Sequence, residues 1–152
     1  MSIDSATVGD LPLPKRLLGL IESGLWPRNH AEAEQQNIRS LVPAERIHLF
    51  APEEDRIYLA WPPFYTIAER SRGGAKRFWS QWGALEEISP ELSVDIGDFG
   101  LGSDSAIVLD YRHDHSNPAV MRLKWRKPQP NTWVRCADSF DQFADMLALE
   151  HR

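Results

Sequence analysis

The chain has 152 residues, 42% of them hydrophobic and 26% charged, with a formal net charge of -5. That is the composition of one ordinary globular domain, long enough to bury roughly 70% of its unfolded surface. It excludes a disordered chain, and no apolar run approaches the ~18 residues of a membrane-crossing helix.

Residues 1–10 read as a flexible lead-in to a single domain over 1–152. The first residues, Met1-Ser2-Ile3-Asp4-Ser5, lack the basic and apolar regions of a secretory leader. The single cysteine, Cys136, has no second thiol for a disulfide or a metal site. Both features point to a cytoplasmic address and to no membrane partner. Pro14 suits a first helical turn, and Leu17, Leu18, Ile21 and Leu25 recur at helical spacing, predicting a helix to about Ser23 with Gly24 at its C-cap. Asn29 can cap a second helix to about Arg39, so poor in apolar residues that it belongs on the surface. The two predict a helical hairpin.

Arg46 to Ala51 aligns Ile47 with Leu49, and Arg56 to Trp61 aligns Ile57 with Leu59 and Trp61; the turn-prone Pro52-Glu53-Glu54-Asp55 between them predicts a β-hairpin. Trp61-Pro62-Pro63-Phe64 interrupts regular structure, Thr66 to Ser71 reads as a short helix, and Ala75 to Glu86 reads as a longer one carrying Phe78, Trp79 and Trp82. Ser89-Pro90 ends it.

Leu92 to Gly97 and Ala106 to Tyr111 are strands with two apolar faces, which places them at the centre of a sheet. Val120 to Arg126 alternates, with Met121, Leu123 and Trp125 toward the core and Val120, Arg122, Lys124 and Arg126 outward. Asn131 to Cys136 pairs with it across Lys127-Pro128-Gln129-Pro130, and Cys136 packs as a small apolar side chain. Ser139 and Gln142 form a capping box for a last helix with Phe140, Phe143, Ala144 and Leu147 in one stripe. The order predicts an α+β fold: a mostly antiparallel sheet of five to six strands, with the N-terminal helical hairpin and the C-terminal helix packed on it.

Charge is unevenly distributed. Residues 86–114 hold eight acids against the single base Arg112, a net of -7, whereas residues 115–135 hold five bases and no acid. One reading pairs strands of opposite sign across the sheet surface. The other keeps an acidic face for a basic partner, since summed charge steers encounter and suppresses wrong partners. On that reading Asp98, Asp104, Asp110 and Asp114 are the candidate partner contacts.

Candidates for chemistry are weaker. The glycines and aspartates of residues 98–104 invite a phosphate-loop reading, but a phosphate loop leads into a helix, and here Ile107-Val108-Leu109 reads as a strand. A tight strand connection with aspartates capping turn amides is favoured, so no nucleotide or other cofactor is expected. His113-Asp114-His115 with Asp110 has metal-ligand chemistry, yet Asn117-Pro118 marks an exposed connection where polar residues gather without function. Glu86, Glu87 and Asp95 read as solvated turn or helix-end residues, with no sign of the burial that general acid-base work requires. Trp133 with Arg135 could stack single-stranded nucleic acid, but the acidic chain argues against a nucleic-acid partner.

Val94 to Arg112 is the most informative segment: two strand-like stretches flank a bend in which Gly97, Gly100 and Gly102 interleave with Asp98 and Asp104, and the second stretch ends in Asp110-Tyr111-Arg112. This pattern resembles the SUKH superfamily, the fold group that contains the yeast cell-wall synthesis regulator and many bacterial immunity proteins. The resemblance extends to Glu22 through Pro27, Pro118 through Trp125 and Trp133 through Leu147. It implies a SUKH-like fold and a non-catalytic protein-binding module: in bacteria, an immunity protein that neutralises a cognate polymorphic toxin, often a nuclease. No catalytic residue, cofactor or metal carries over. Two other readings stand beside it: a general regulatory scaffold, as the yeast member implies, and a small metal-dependent hydrolase using Asp110, His113 and His115.

Overall fold

The computed structural model describes residues 7–72, 86–100, 105–124 and 131–151. The lead-in folds back on itself: β1 (Thr7–Val8) and β2 (Leu11–Pro12) pair antiparallel, and Val8 and Leu11 are buried. Helix α1 (Lys15–Glu22) buries Leu17, Leu20 and Ile21. It ends as Gly24 predicts, with φ at +79°; the Leu25 N–H donates to the Leu20 carbonyl and the Gly24 N–H to Ile21, which satisfies two of the last carbonyls.

Asn29 caps α2 (His30–Glu34), its Oδ1 accepting from the Glu32 N–H, as predicted. The helix stops earlier than expected and tightens into a 3-10 turn at Gln35–Asn37, where Gln36 is buried. The predicted β-hairpin is absent. Ala44–Ile47 is instead a helical turn, α3, begun by Pro43, and Ile47, Phe50 and Ala51 are buried while Leu49 is exposed. Burial at spacings of three and four is helical; Ile47 and Leu49 alone mimicked a strand. Of the second predicted strand only β3 (Tyr58–Leu59) forms. After the cis Pro62-Pro63 peptide come β4 (Tyr65–Thr66) and α4 (Ile67–Arg70), which is opened by a capping box between Thr66 and Glu69. Residues 75–85 of the predicted longer helix, with Phe78, Trp79 and Trp82, lie outside the described residues.

A turn of 3-10 helix (Pro90–Leu92) leads into the sheet strands β5 (Ser93–Asp98), β6 (Ala106–Asp110), β7 (Ala119–Lys124) and β8 (Thr132–Ala137). The six-stranded sheet runs β3-β5-β6-β7-β8, with β4 also on β5, and these pairings are antiparallel. The last helix, α5 (Phe140–Leu147), is capped by Ser139 and buries the predicted Phe140, Phe143, Ala144 and Leu147. Gln142 completes the cap one residue further out than a capping box would, accepting from the Asp138 N–H. The fold is α+β. No helix among the described residues is long and apolar enough to cross a membrane.

Both faces of the central sheet are buried. Val94, Ile96, Ile107, Leu109 and Val120 belong to the larger core with α1 and α5, while Ala106, Val108, Met121, Leu123 and Trp133 form a second cluster with Ile67 and Ile88. This corrects the reading of β7: Val120 and Arg122 do not face solvent. Arg122 is 3% exposed, and its guanidinium makes a two-point ion pair with Glu53 at 2.8 and 3.1 Å. A strand covered on both sides alternates between two cores rather than between core and water. Trp125 and Arg126 lie outside the described residues.

Candidate functional site

A one-residue irregularity shapes the edge of the sheet. In β5, Asp95 pairs with Val108 and Asp98 with Ala106, but Gly97 pairs with Ile107, so Ile96 is an extra residue. This bulge lets Asp95 and Asp98, three apart in sequence, share the sheet face of Ala106 and Val108; in a regular strand they would point to opposite faces. Glycine suits this position, because a Cβ at Gly97 would sit 3.1 Å from the Tyr58 carbonyl of β3, a tight contact.

Against this edge lies a groove of about 360 Å³, walled by His30, Glu34 and Asn37 on one side and Tyr58 and Trp61 on another, with Arg70, Asp95 and Asp98 reaching it. Its floor is an ion pair, Arg70 to Asp95 at 3.0 Å. The Arg70 guanidinium also sits 5.2 Å from the ring centre of Tyr65. Asp95 is 6% exposed, and burial pushes its carboxyl up to about 6, against the pull of Arg70 and of the Gly97 N–H. It is therefore no solvated turn residue. Trp61 stands at the rim, 38% exposed, with His30 beside its ring at 5.1 Å, and Tyr65 is 41% exposed. Arg56 lies over Tyr58 at 5.2 Å. Among the described residues the groove thus joins aromatic surface to three carboxylates and one guanidinium, with His30 Nε2 at 3.2 Å from Glu34, within the size range of ligand pockets.

The four aspartates predicted as partner contacts do not form one patch. Asp98 is half-buried at the turn end of the β5–β6 hairpin, its Oδ1 accepting from the Gly100 N–H at 2.7 Å, as the turn-capping reading expects. A strand follows this bend, not a helix. Asp104 lies outside the described residues. Asp110 is at the other end of β6, 1% exposed, with both oxygens taken up by Arg112 and one also accepting from the Arg112 N–H. Tyr111 is buried and donates to the Pro12 carbonyl at 2.8 Å. The Asp110-Tyr111-Arg112 signature therefore holds the fold together. Asp114 is exposed in the next connection, where Ser116 and Asn117 hydrogen-bond to its carboxylate and hold it below the usual range.

The metal reading loses its inner ligand to Arg112, since Asp110 is buried in that pair while His113 and His115 are exposed. Among the described residues no group of three or more His, Cys, Asp or Glu side chains is placed to hold a metal ion. Trp133, proposed as a stacking surface, is 2% exposed inside the second core cluster. Glu87, read as a helix-end residue, instead takes the Trp133 N–H and the Thr132 hydroxyl, guarding the edge of β8; those bonds hold its carboxyl below the usual range although burial acts in the opposite direction. Burial pushes the Cys136 thiol up to about 12, which makes it an inert packing residue. The bases of residues 115–135 do not simply pair with the neighbouring acids: Arg122 takes Glu53 and Arg135 takes Asp138.

Sequence reasoning missed Asp95, Arg70, His30 and Gln36 as members of a site. Gly97 inside an apolar strand was the available signal, since an isolated strand glycine marks a bulge or a close backbone approach. Comparison of the chain with protein-family models, with curated proteins and with solved structures finds no match in any of the three.

Proposed function

We propose that this chain is a non-catalytic protein-binding module, an immunity protein of the SUKH type that binds and neutralises a basic toxin domain in the cytoplasm. The observation that carries the reading is the exposed, acid-rimmed aromatic groove at the β3–β5 edge. Trp61 and Tyr65 stay partly in water although Trp26 and Trp133 are fully packed. Trp61 and the half-buried Tyr58 line the groove, and Trp and Tyr in a concavity are the composition of binding hot spots; Glu34 and Asp98 in the same lining suit a partner of opposite charge. Asp98 and Asp114 remain as acids on the accessible surface, whereas Asp110 serves the fold.

The test is coexpression with the products of neighbouring genes. One of them is expected to be toxic alone and harmless with this chain, and to copurify with it. Association is expected to slow as salt rises, because screening shortens electrostatic steering to about 8 Å at physiological ionic strength. If no neighbouring product is neutralised or retained, the immunity reading is wrong.

A further inference from the structure

Arg70 and Asp95 join α4 to β5 by a pair whose halves differ in their access to water. Arg70 is the last residue of α4, and 37% of its side chain is exposed; the Asp95 side chain, in the bulged strand, is 8% exposed. Asp95 shares the sheet face of Ala106 and Val108, which belong to the second core cluster together with Ile67 of α4. Its carboxylate meets Arg70 Nη2 at 3.0 Å and accepts from the Gly97 N–H at 3.3 Å. The other titratable groups around it have contacts of their own. Glu69 of α4 accepts from the Thr66 N–H and hydroxyl, Asp98 of β5 accepts from the Gly100 N–H, and Glu34 of α2 lies 3.2 Å from His30. Tyr65 of β4 is the cross-strand neighbour of Asp95, and Tyr58 of β3 that of Asp98. Burial penalises the ionised carboxylate, and the attraction of one partly hydrated guanidinium offsets that penalty only in part.

We infer that the Asp95–Arg70 pair is a proton-operated latch in the floor of the groove: the ionised carboxylate holds the end of α4 to the bulge of β5, and the protonated one lets it go. A carboxylate and a guanidinium make a charge-assisted bond; a neutral acid keeps only an ordinary hydrogen bond, roughly half as strong. The exposed part of Arg70 hydrates when that bond weakens, and its guanidinium retains the Tyr65 ring at 5.2 Å. Asp95 stays where it is and keeps the Gly97 N–H. Because burial raises its carboxyl to about 6, the pair passes from about 90% ionised at pH 7 to about 90% protonated at pH 5. Helix α4 is only four residues long, so a contact at its end is a large share of what fixes that end. Arg70 and Asp95 both line the groove, so its shape follows the proton concentration, and its net charge rises by one on acidification.

The test follows the full chain by carbon and nitrogen NMR between about pH 4 and pH 8. The Asp95 carboxyl carbon, assigned by its absence from Asp95→Asn, is expected to titrate at about 6, against an ordinary value of 3.8. Arg70→Gln is expected to raise the proton affinity of Asp95 about tenfold further, because the counter-charge is gone. The Ser71 and Arg72 amides donate to the Ile67 and Glu69 carbonyls. Corrected for the intrinsic effect of pH, their hydrogen exchange is expected to be several-fold faster at about pH 5 than at about pH 7. Asp95→Asn, neutral throughout, is expected to show the faster exchange already at about pH 7 and no step on acidification. Unchanged amide spectra away from the groove show that each variant is folded, and the native titration and exchange decide alone where one is not. A midpoint near 3.8, or exchange at Ser71 and Arg72 that is equal in the two charge states, overturns the latch. The measurement needs no partner, so a failed latch leaves the immunity reading untouched, and a chain that neutralises nothing leaves the latch standing.

Discussion

The side chain of Gln36 stands in for a strand partner of Leu59. Its Oε1 accepts from the Leu59 N–H at 2.8 Å and its Nε2 donates to the Leu59 carbonyl at 3.0 Å, so one amide satisfies both backbone groups that point away from the sheet. Gln36 is 1% exposed, and its own carbonyl receives the Arg56 guanidinium at 2.6 Å. Through this bond α2 and its 3-10 extension are tied to β3, and the two walls of the groove keep their spacing.

Gln36→Leu removes both partners from a buried backbone. Each unsatisfied group costs about 1–3 kcal/mol, so a loss of roughly 3 kcal/mol in unfolding free energy is expected, read as a lower urea midpoint with an unchanged slope. A loss under 1 kcal/mol would show that water or a shift of β3 replaces the amide.

Arg122 and Glu53 make a second long-range tie. The Arg122 guanidinium is buried, and its Nε has no hydrogen-bond partner among the described residues, whereas the Glu53 side chain is 42% exposed. Removing the carboxylate strands a buried charge, so Glu53→Ala is expected to cost about 3 kcal/mol. Adding Arg122→Met is expected to recover most of that loss, because an apolar side chain needs no counter-ion. Strict additivity of the two substitutions in urea unfolding would refute the coupling.

Asp95 sets a pH dependence of definite sign. Burial raises its carboxyl from an ordinary value of 3.8 to about 6, so the native protein holds this proton more tightly than the unfolded chain does. Its contribution is full below about pH 4 and is lost as pH rises to about 6, a decline on the order of 3 kcal/mol. Glu53 and Glu87, whose carboxyls lie below their usual values, act in the opposite sense. They act equally in Asp95→Asn, so the stability of the native chain relative to that variant is expected to fall between pH 4 and pH 6.5. Parallel stability profiles for the two proteins would count against a buried, proton-holding Asp95.

Ala148 ends α5 in the left-handed region, at φ 55° and ψ 37°. A side chain there costs about 1–2 kcal/mol, partly offset by burial of its methyl, since Ala148 is 8% exposed. Ala148→Gly is expected to stabilise the protein by about 0.5 kcal/mol, raising Tm by about 1–2 °C. Calorimetry showing a lower Tm would mean that the methyl packs better than the strain it causes.

The amino-acid pattern by itself determined the pieces whose signals are local. Helix α1 with Gly24, the Asn29 and Ser139 caps, the stripe of α5 and the two apolar central strands all follow from spacing and capping within a dozen residues, and with them the α+β class. Asp98 as a turn cap was legible for the same reason. Tertiary structure decided the rest. Ala44–Ile47 is helical because Ile47 shares burial with Phe50 and Ala51, although Ile47 and Leu49 alone fit a strand equally well. Arg122 turns inward because Glu53, far away in sequence, meets it there. The groove draws on α2, β3, α4 and β5, and the extra residue Ile96 sets which way Asp95 and Asp98 face. Burial of a carboxylate, and the company it keeps, depends on which distant segments pack over it, and local periodicity carries no term for that.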